Sequence, residues 1–192
     1  MSVDVDRTGP AVPAHTGSGG AEPDGPEPGG AAPEGADAAL ARLGQALADA
    51  VVEVLPRWVE RSVTDLVRAW SGTVGPDALA AARRAGAEAV ADVGPDLRRL
   101  LEADVDAQWT NPMTVVRRAV APATAALRAA GVGEVQRAPE DEARFPDDVY
   151  GLTPLAFADL HPSLHELGIT WGAVKARAHL SRHRPTGGGG AR

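Results

Sequence analysis

The residues of this chain able to do chemistry are its histidines, carboxylates, hydroxyls and cations, because the sequence contains no cysteine. That one absence removes disulfides, thiolate nucleophiles, thiolate zinc sites and cysteine-held iron–sulfur clusters together. His161 and His165 are four residues apart, with Glu166 beside the second. A helical zinc motif needs its glutamate directly after the first histidine, where Pro162 stands, and a residue before proline sits at a helix cap rather than on a helix face. Both therefore read as neutral hydrogen-bonding histidines. Carboxylates gather at Glu102, Asp104 and Asp106, and again at Glu140, Asp141, Glu142, Asp147 and Asp148. Such oxygen donors suit Mg²⁺ or Ca²⁺, yet Asp104 and Asp106 point to different helix faces and the second group lacks the alternating spacing of a calcium loop. Asp147 or Asp148 is instead expected to pair with Arg117, Arg118 or Arg144 and pin the segment between them. The sequence has no Gly-x-Ser-x-Gly elbow and no Gly-rich loop after a strand. No catalytic, cofactor-binding or metal-ligating residue is assigned, and no cofactor is implied. The enzymatic alternative is a metal-dependent one drawing on Asp104, Asp106, Asp147, Asp148 and His165.

Two groups of cations suit binding better. Lys175, Arg177, Arg182 and Arg184 lie on a C-terminal helix with Trp171, and cations beside an aromatic ring are what phosphate contact and base stacking require. The same cations also suit a helix C-terminus for reasons of the backbone dipole alone, and Trp171 near the helix start reads as core. The second group is Trp58 with Arg57 and Arg61. Trp58 falls off the apolar stripe of its helix, and an exposed tryptophan often marks a partner surface. Trp109, beside Thr110-Asn111, reads as packing of a helix junction, and Tyr150 equally as an anchor for the acidic segment or as a group that serves chemistry.

The elements that must position these residues are helices. Residues 1–36 are nearly all Gly, Pro, Ala, Ser, Asp and Glu, and six carboxylates against Arg7 make them acidic, a net of about −5. A segment so poor in apolar area is expected to be disordered. Residues 169–192 hold five cations and no acid, about +5, so the total of −7 hides an acidic head and a basic tail. Asp37 is expected to cap the first helix, with Leu40, Leu43, Leu47, Val51 and Val54 on one face. Pro56 should end or kink it before a second stripe of Val59, Val63, Leu66, Val67 and Trp70, closed by Gly72 and Gly75. A third stretch from Pro76-Asp77 is interrupted at Gly94-Pro95, a kink or a break into two. Asn111 or Thr110 caps the next helix, with Pro112 at its first position and a bend at Pro122.

Residues 134–152 have no helical period and read as a long acidic surface connection. Thr153-Pro154 opens a short helix over Leu155, Phe157 and Leu160, and Gly168 ends a further turn that begins at His161-Pro162. Thr170 caps the last helix, with Trp171, Val174, Ala178 and Leu180 facing inward. No alternation suits a strand. The expected fold is all-α, an irregular orthogonal bundle of five to seven helices over residues 37–184, followed by a flexible tail at 185–192.

Two stretches carry a resemblance. One runs from Glu102 to Val120 (EADVDAQWTNPMTVVRRAV), and the other comprises RFPDDVYGLTP at 144–154 together with LGITWGAVKA at 167–176. The chain resembles, over roughly residues 37–184, a family of small alanine-rich helical proteins of high-GC actinobacteria for which no activity is established. That resemblance implies a cell type and assigns no site residue. Without an apolar run of about 18 residues, or a basic-then-apolar leader, a soluble cytoplasmic protein without a membrane partner is expected. The function expected is that of a non-enzymatic helical interaction or accessory protein. Its unidentified protein partner would meet Arg57, Trp58 and Arg61. The alternative is a nucleic-acid-associated accessory protein using Lys175, Arg177, Arg182 and Arg184. An alanine-rich stripe suits a dimer face as well as a thin core, so oligomeric state stays open.

Overall fold

A computed structural model describes residues 35–103 and 110–183, and every regular element among them is helical. The expectations placed on residues 1–34, on Asp104, Asp106 and Trp109, and on Arg184 and the tail after it lie outside the described residues.

Helix α1 (Ala36–Ser71) has 36 residues and a length of about 54 Å. It starts from Gly35, not from a capping Asp37. The Gly35 carbonyl accepts bonds from the N–H groups of Ala38 and Ala39 at 2.9 and 3.3 Å. Asp37 instead occupies the first turn, where its charge meets the positive end of the helix dipole and accepts a 2.7 Å bond from Arg182. Of the two outcomes expected at Pro56, an end or a kink, the end does not occur: the helix continues through it. An interior proline costs about 3 kcal/mol through its missing N–H and ring clash. Val51, Leu55, Val59 and Val63 on either side are at most 1% exposed. Each fully buried side chain of that size contributes about 1.5–3 kcal/mol, so continuing the helix outweighs the local defect.

Gly72, at φ 79°, donates to the Arg68 carbonyl and turns the chain, and Pro76 takes the first position of α2 (Pro76–Glu102). Gly94-Pro95 likewise fails to break α2, because Val93 and Leu97 flank it with no exposure at all. The contact face of α2 is small-residue, with Ala82, Ala85, Gly86 and Ala89 buried, and it lets two backbones approach closely. A Cβ placed on Gly86 would stand 2.8 Å from the Pro56 carbonyl oxygen, and one on Gly44 would stand 2.5 Å from that of Leu101.

Asn111 caps α3 (Pro112–Val116) by accepting a 2.9 Å bond from the Met113 N–H, with Pro112 at the first position as the sequence suggests. Pro122 sits inside α4 (Val120–Ala129), and its effect falls one turn earlier. Residues Arg117–Ala119 form a 3₁₀ turn, where the carbonyl of Arg118 would otherwise have received the N–H that Pro122 lacks.

The stretch 134–152 is more built than a bare loop. It contains the exposed helix α5 (Pro139–Arg144), a backbone bond from Val135 N–H to the Val149 carbonyl, and a buried Tyr150 whose hydroxyl donates to the Val132 carbonyl at 2.8 Å. Tyr150 thus anchors the stretch, one of the two roles its position left open. Helix α6 (Phe157–Leu160) begins later than Thr153-Pro154, since Asp159 accepts the free N–H groups of Leu155 and Ala156. Helix α7 (Leu164–Arg182) then runs unbroken through Gly168 and Thr170. Gly168 is no terminator: a Cβ there would lie 2.9 Å from the Phe157 ring, so the glycine seats that ring on α7. Leu180, expected to face inward, is 69% exposed, while Leu164, Trp171 and Ala178 are buried.

Helix α1 is enclosed by α2 and α7, with α4 and α6 touching it as well. More than one stripe of it is therefore buried, and this corrects the placement of two tryptophans. Trp58, read as exposed, is only 6% exposed and belongs to the core next to Val59. Trp70, read as part of the inward stripe, is 61% exposed, its ring lying across Gly133 instead of filling the core. No helix among the described residues is long and apolar enough to cross a membrane.

Candidate functional site

Arg57, Trp58 and Arg61 occupy consecutive turns of α1 just after Pro56, and the junction of α6 and α7 closes over them. The junction is extended at His161 (φ −162°, ψ 138°), the conformation that Pro162 imposes on the residue before it. Its geometry fixes the histidine ring. The Ser163 N–H donates to His161 Nδ1 at 3.2 Å and the Ser163 hydroxyl lies 2.8 Å from the same nitrogen. Nδ1 is thus an acceptor, which leaves the proton of the neutral ring on Nε2. Arg61 donates to the Leu160 carbonyl at 3.3 Å and ties α1 to this turn.

A groove of about 300 Å³ results, lined by Arg57, Trp58, Arg61, Leu160, His161 and Ser163, among others. Its polar groups are mostly donors. Among the described residues no carboxylate or carbonyl pairs with the Arg57 guanidinium, which is exposed. Only the Thr124 hydroxyl and the Trp171 indole N–H, among the described residues, are sealed from solvent without a partner. The Trp58 N–H has no acceptor among the described residues either, so it keeps an opening to solvent although the side chain is nearly all buried. Glu53 is the one acid among the lining residues, and it is exposed. Arg57, Trp58 and Arg61 are thus neighbours in a pocket wall, with the indole at the floor and not displayed as a surface patch.

The described cations of the basic C-terminal helix are placed as follows. Lys175 lies over the Trp171 ring at 5.1 Å, and its partial burial lowers its ammonium below the usual lysine value. Arg182 is committed to Asp37, and Arg177 is exposed about 200° around the helix from Lys175. Lys175 and Arg182, seven residues apart, share a face with Trp171, and Arg177 lies on another.

The acidic residues are also placed apart. Asp148 is buried, and instead of pairing with arginine it accepts the N–H groups of Leu152 and Thr153 at 2.9 and 2.6 Å. A carboxylate that satisfies two backbone donors four and five residues on builds a turn by itself, which is why no guanidinium is needed. The arginines pin this stretch through carbonyls: Arg117 donates to Pro154 and Arg137 to Phe145. Arg118 forks onto Asp92 and Asp96, and that hydrogen bond holds the Asp96 carboxyl below the usual range. Asp147 is exposed. Among the described residues no three His, Asp or Glu side chains group as a metal site would require.

The sequence separates Arg61 from Leu160 by 99 positions. Nothing in helical periodicity announces that His161 and Ser163 complete the groove; the only local signal is the His-Pro-Ser turn itself. No family model, curated protein or solved structure matches the chain, so the chemistry of its own surfaces is what bears on function.

Proposed function

We propose that this chain is a non-enzymatic helical binding module that takes an acidic segment of a protein partner into the groove between α1 and the α6–α7 junction. The observation that carries the reading is the convergence of donors there. Arg57, Trp58 and Arg61 on one side and His161 on the other line a groove of about 300 Å³, at the small end of ligand sites and suited to a side-chain carboxylate. Two guanidiniums and an indole on an apolar floor are also the residue types that dominate protein interfaces. A carboxylate accepts strongly from such donors, and the partly enclosed setting reduces competition from water.

The test is a titration of the full chain with a fluorescein-labelled tetraglutamate peptide and, in parallel, its tetraglutamine counterpart. The glutamate peptide is expected to bind and the glutamine peptide to bind at least about tenfold more weakly. Arg57→Ala with Arg61→Ala should reduce affinity by about tenfold or more, since each hydrogen bond to a charged group contributes about 1.5–3 kcal/mol. Trp58→Phe, which keeps the packing and removes the N–H, should give a smaller loss, and Arg177→Ala none. Equal binding of the two peptides, or full affinity in the double variant, would refute the assignment.

A further inference from the structure

A separate cleft of about 510 Å³ lies between α4 and the stretch 144–153. One wall is the small apolar face of α4, with Val120, Ala121 and Ala125, and the other carries Phe145 and Pro146. Arg117 and Arg144 both lie against the Phe145 ring, their guanidinium carbons 5.2 and 5.0 Å from its centre. Arg117 is steadied by the Pro154 carbonyl at 3.0 Å, and the Phe145 carbonyl is itself held by Arg137 at 2.8 Å. Arg144 forms no hydrogen bond or ion pair with any described residue. Two cations are therefore positioned on an aromatic platform in advance, and one of them lacks a counter-charge.

The remaining polar groups narrow the ligand class. Arg118, also on the lining, spends its donors on Asp92 and Asp96, a group that carries one net negative charge. Asp148 faces inward onto two backbone N–H groups, and Asp147 leaves one more carboxylate at the rim. Arg128 has only a loose partner in Glu134, at 3.8 Å. A ligand with several negative charges would meet these acids. A single anionic group between Arg117 and Arg144 would not exceed the positive charge available.

Thr124 lines the same cleft and is only 7% exposed, and its hydroxyl has no partner. A helical threonine ordinarily donates to the carbonyl four residues back, so this orphan marks a polar need that the protein itself leaves unmet.

We propose that the cleft binds a small organic monoanion, an aryl or alkyl carboxylate or sulfonate, with its charged end at Arg117 and Arg144 and its apolar body against Val120, Ala121, Ala125 and Phe145. The volume falls within the range of small-molecule sites. This site shares no lining residue with the α1 groove and does not depend on its reading.

The experiment uses the full chain and two dyes of the same ring system, anionic anilinonaphthalenesulfonate and uncharged N-phenylnaphthylamine. The sulfonate is expected to bind with a stoichiometry of about one and at least about tenfold more tightly than the uncharged dye. Arg144→Gln, an exposed position outside the core, should weaken the sulfonate by about tenfold and leave the uncharged dye unchanged. Ala121→Trp, also exposed, should block both by filling the cleft. The Arg57→Ala, Arg61→Ala double variant should bind both dyes as the native chain does. The proposal is overturned by absence of sulfonate binding, by equal affinity for the two dyes, or by native affinity in both Arg144→Gln and Ala121→Trp. Loss of binding in the α1 double variant would place the dye elsewhere and overturn it equally.

Discussion

Replacing Gly86 by alanine tests whether close backbone contact between α1 and α2 organises the fold. The added methyl would stand 2.8 Å from the Pro56 carbonyl oxygen, 3.1 Å from its Cα and 3.3 Å from its carbonyl carbon. Favourable carbon contacts begin at about 3.5 Å, so the two helices must separate by about 0.5 Å at this crossing. The obstacle is backbone in the middle of a 36-residue helix, which cannot swing aside as a side chain would. Overpacking of this kind costs about 1–3 kcal/mol, with the rigid wall placing it in the upper half. Against that, alanine gains about 1 kcal/mol over glycine in a helix interior. The net expectation is a loss of about 1–2 kcal/mol, or about 3–8 °C in Tm for a body of this size. Gly172→Ala in α7 is the matched comparison, because a Cβ there meets nothing within 4 Å. It should gain about 0.5–1 kcal/mol. Urea unfolding followed by circular dichroism measures both. If Gly86→Ala is as stable as the native chain while Gly172→Ala shows its gain, the close-contact argument is wrong.

Two other perturbations address the elements around the sites. Asp148→Ala leaves the N–H groups of Leu152 and Thr153 without acceptors in a partly buried turn, and about 1–3 kcal/mol of stability should be lost. Hydrogen exchange at those two amides should accelerate before the rest of the protein responds; unchanged protection there would contradict the assignment. The Arg118 fork sets a pH dependence. Because its hydrogen bond holds Asp96 below the ordinary carboxylate value in the folded state, the contribution is complete above that ordinary range. It disappears as pH falls through the lowered value. Arg118→Gln should therefore move the acid-unfolding midpoint to higher pH, read by circular dichroism, and an unmoved midpoint would remove the fork from the account.

The helical class, the cap at Asn111-Pro112 and the inward set Leu47, Val51, Val59 and Val63 were all legible without coordinates. Each depends on interactions within a few residues or on a 3.6-residue period that any one face must obey. Of the groove, Arg57, Trp58 and Arg61 could be singled out as residues of one helix. His161 and Ser163 could not, because the sequence contains no record of which distant turn closes over which helix. The cleft beside α4 was legible only as a suggestion that arginines hold the acidic stretch down. That they do so through carbonyls, leaving Arg144 without a partner, depends on where Asp148 found its own donors.

What the sequence by itself determined is the alphabet of elements: helices wherever apolar residues recur at three and four, turns at Gly72 and Gly131 where left-handed backbone is required. What only the tertiary structure decided is where those elements stop and which sides they hide. Pro56, Gly94-Pro95 and Gly168 carry local instructions to break a helix, and each is overruled by neighbours on both sides. Keeping a breaker inside a helix costs a fixed few kcal/mol at most, whereas breaking there and turning the helix away from its partners would expose every buried residue beyond it. The burial of Trp58 has the same origin: α1 is enclosed by several helices, and the number of faces a helix must bury is set by its neighbours.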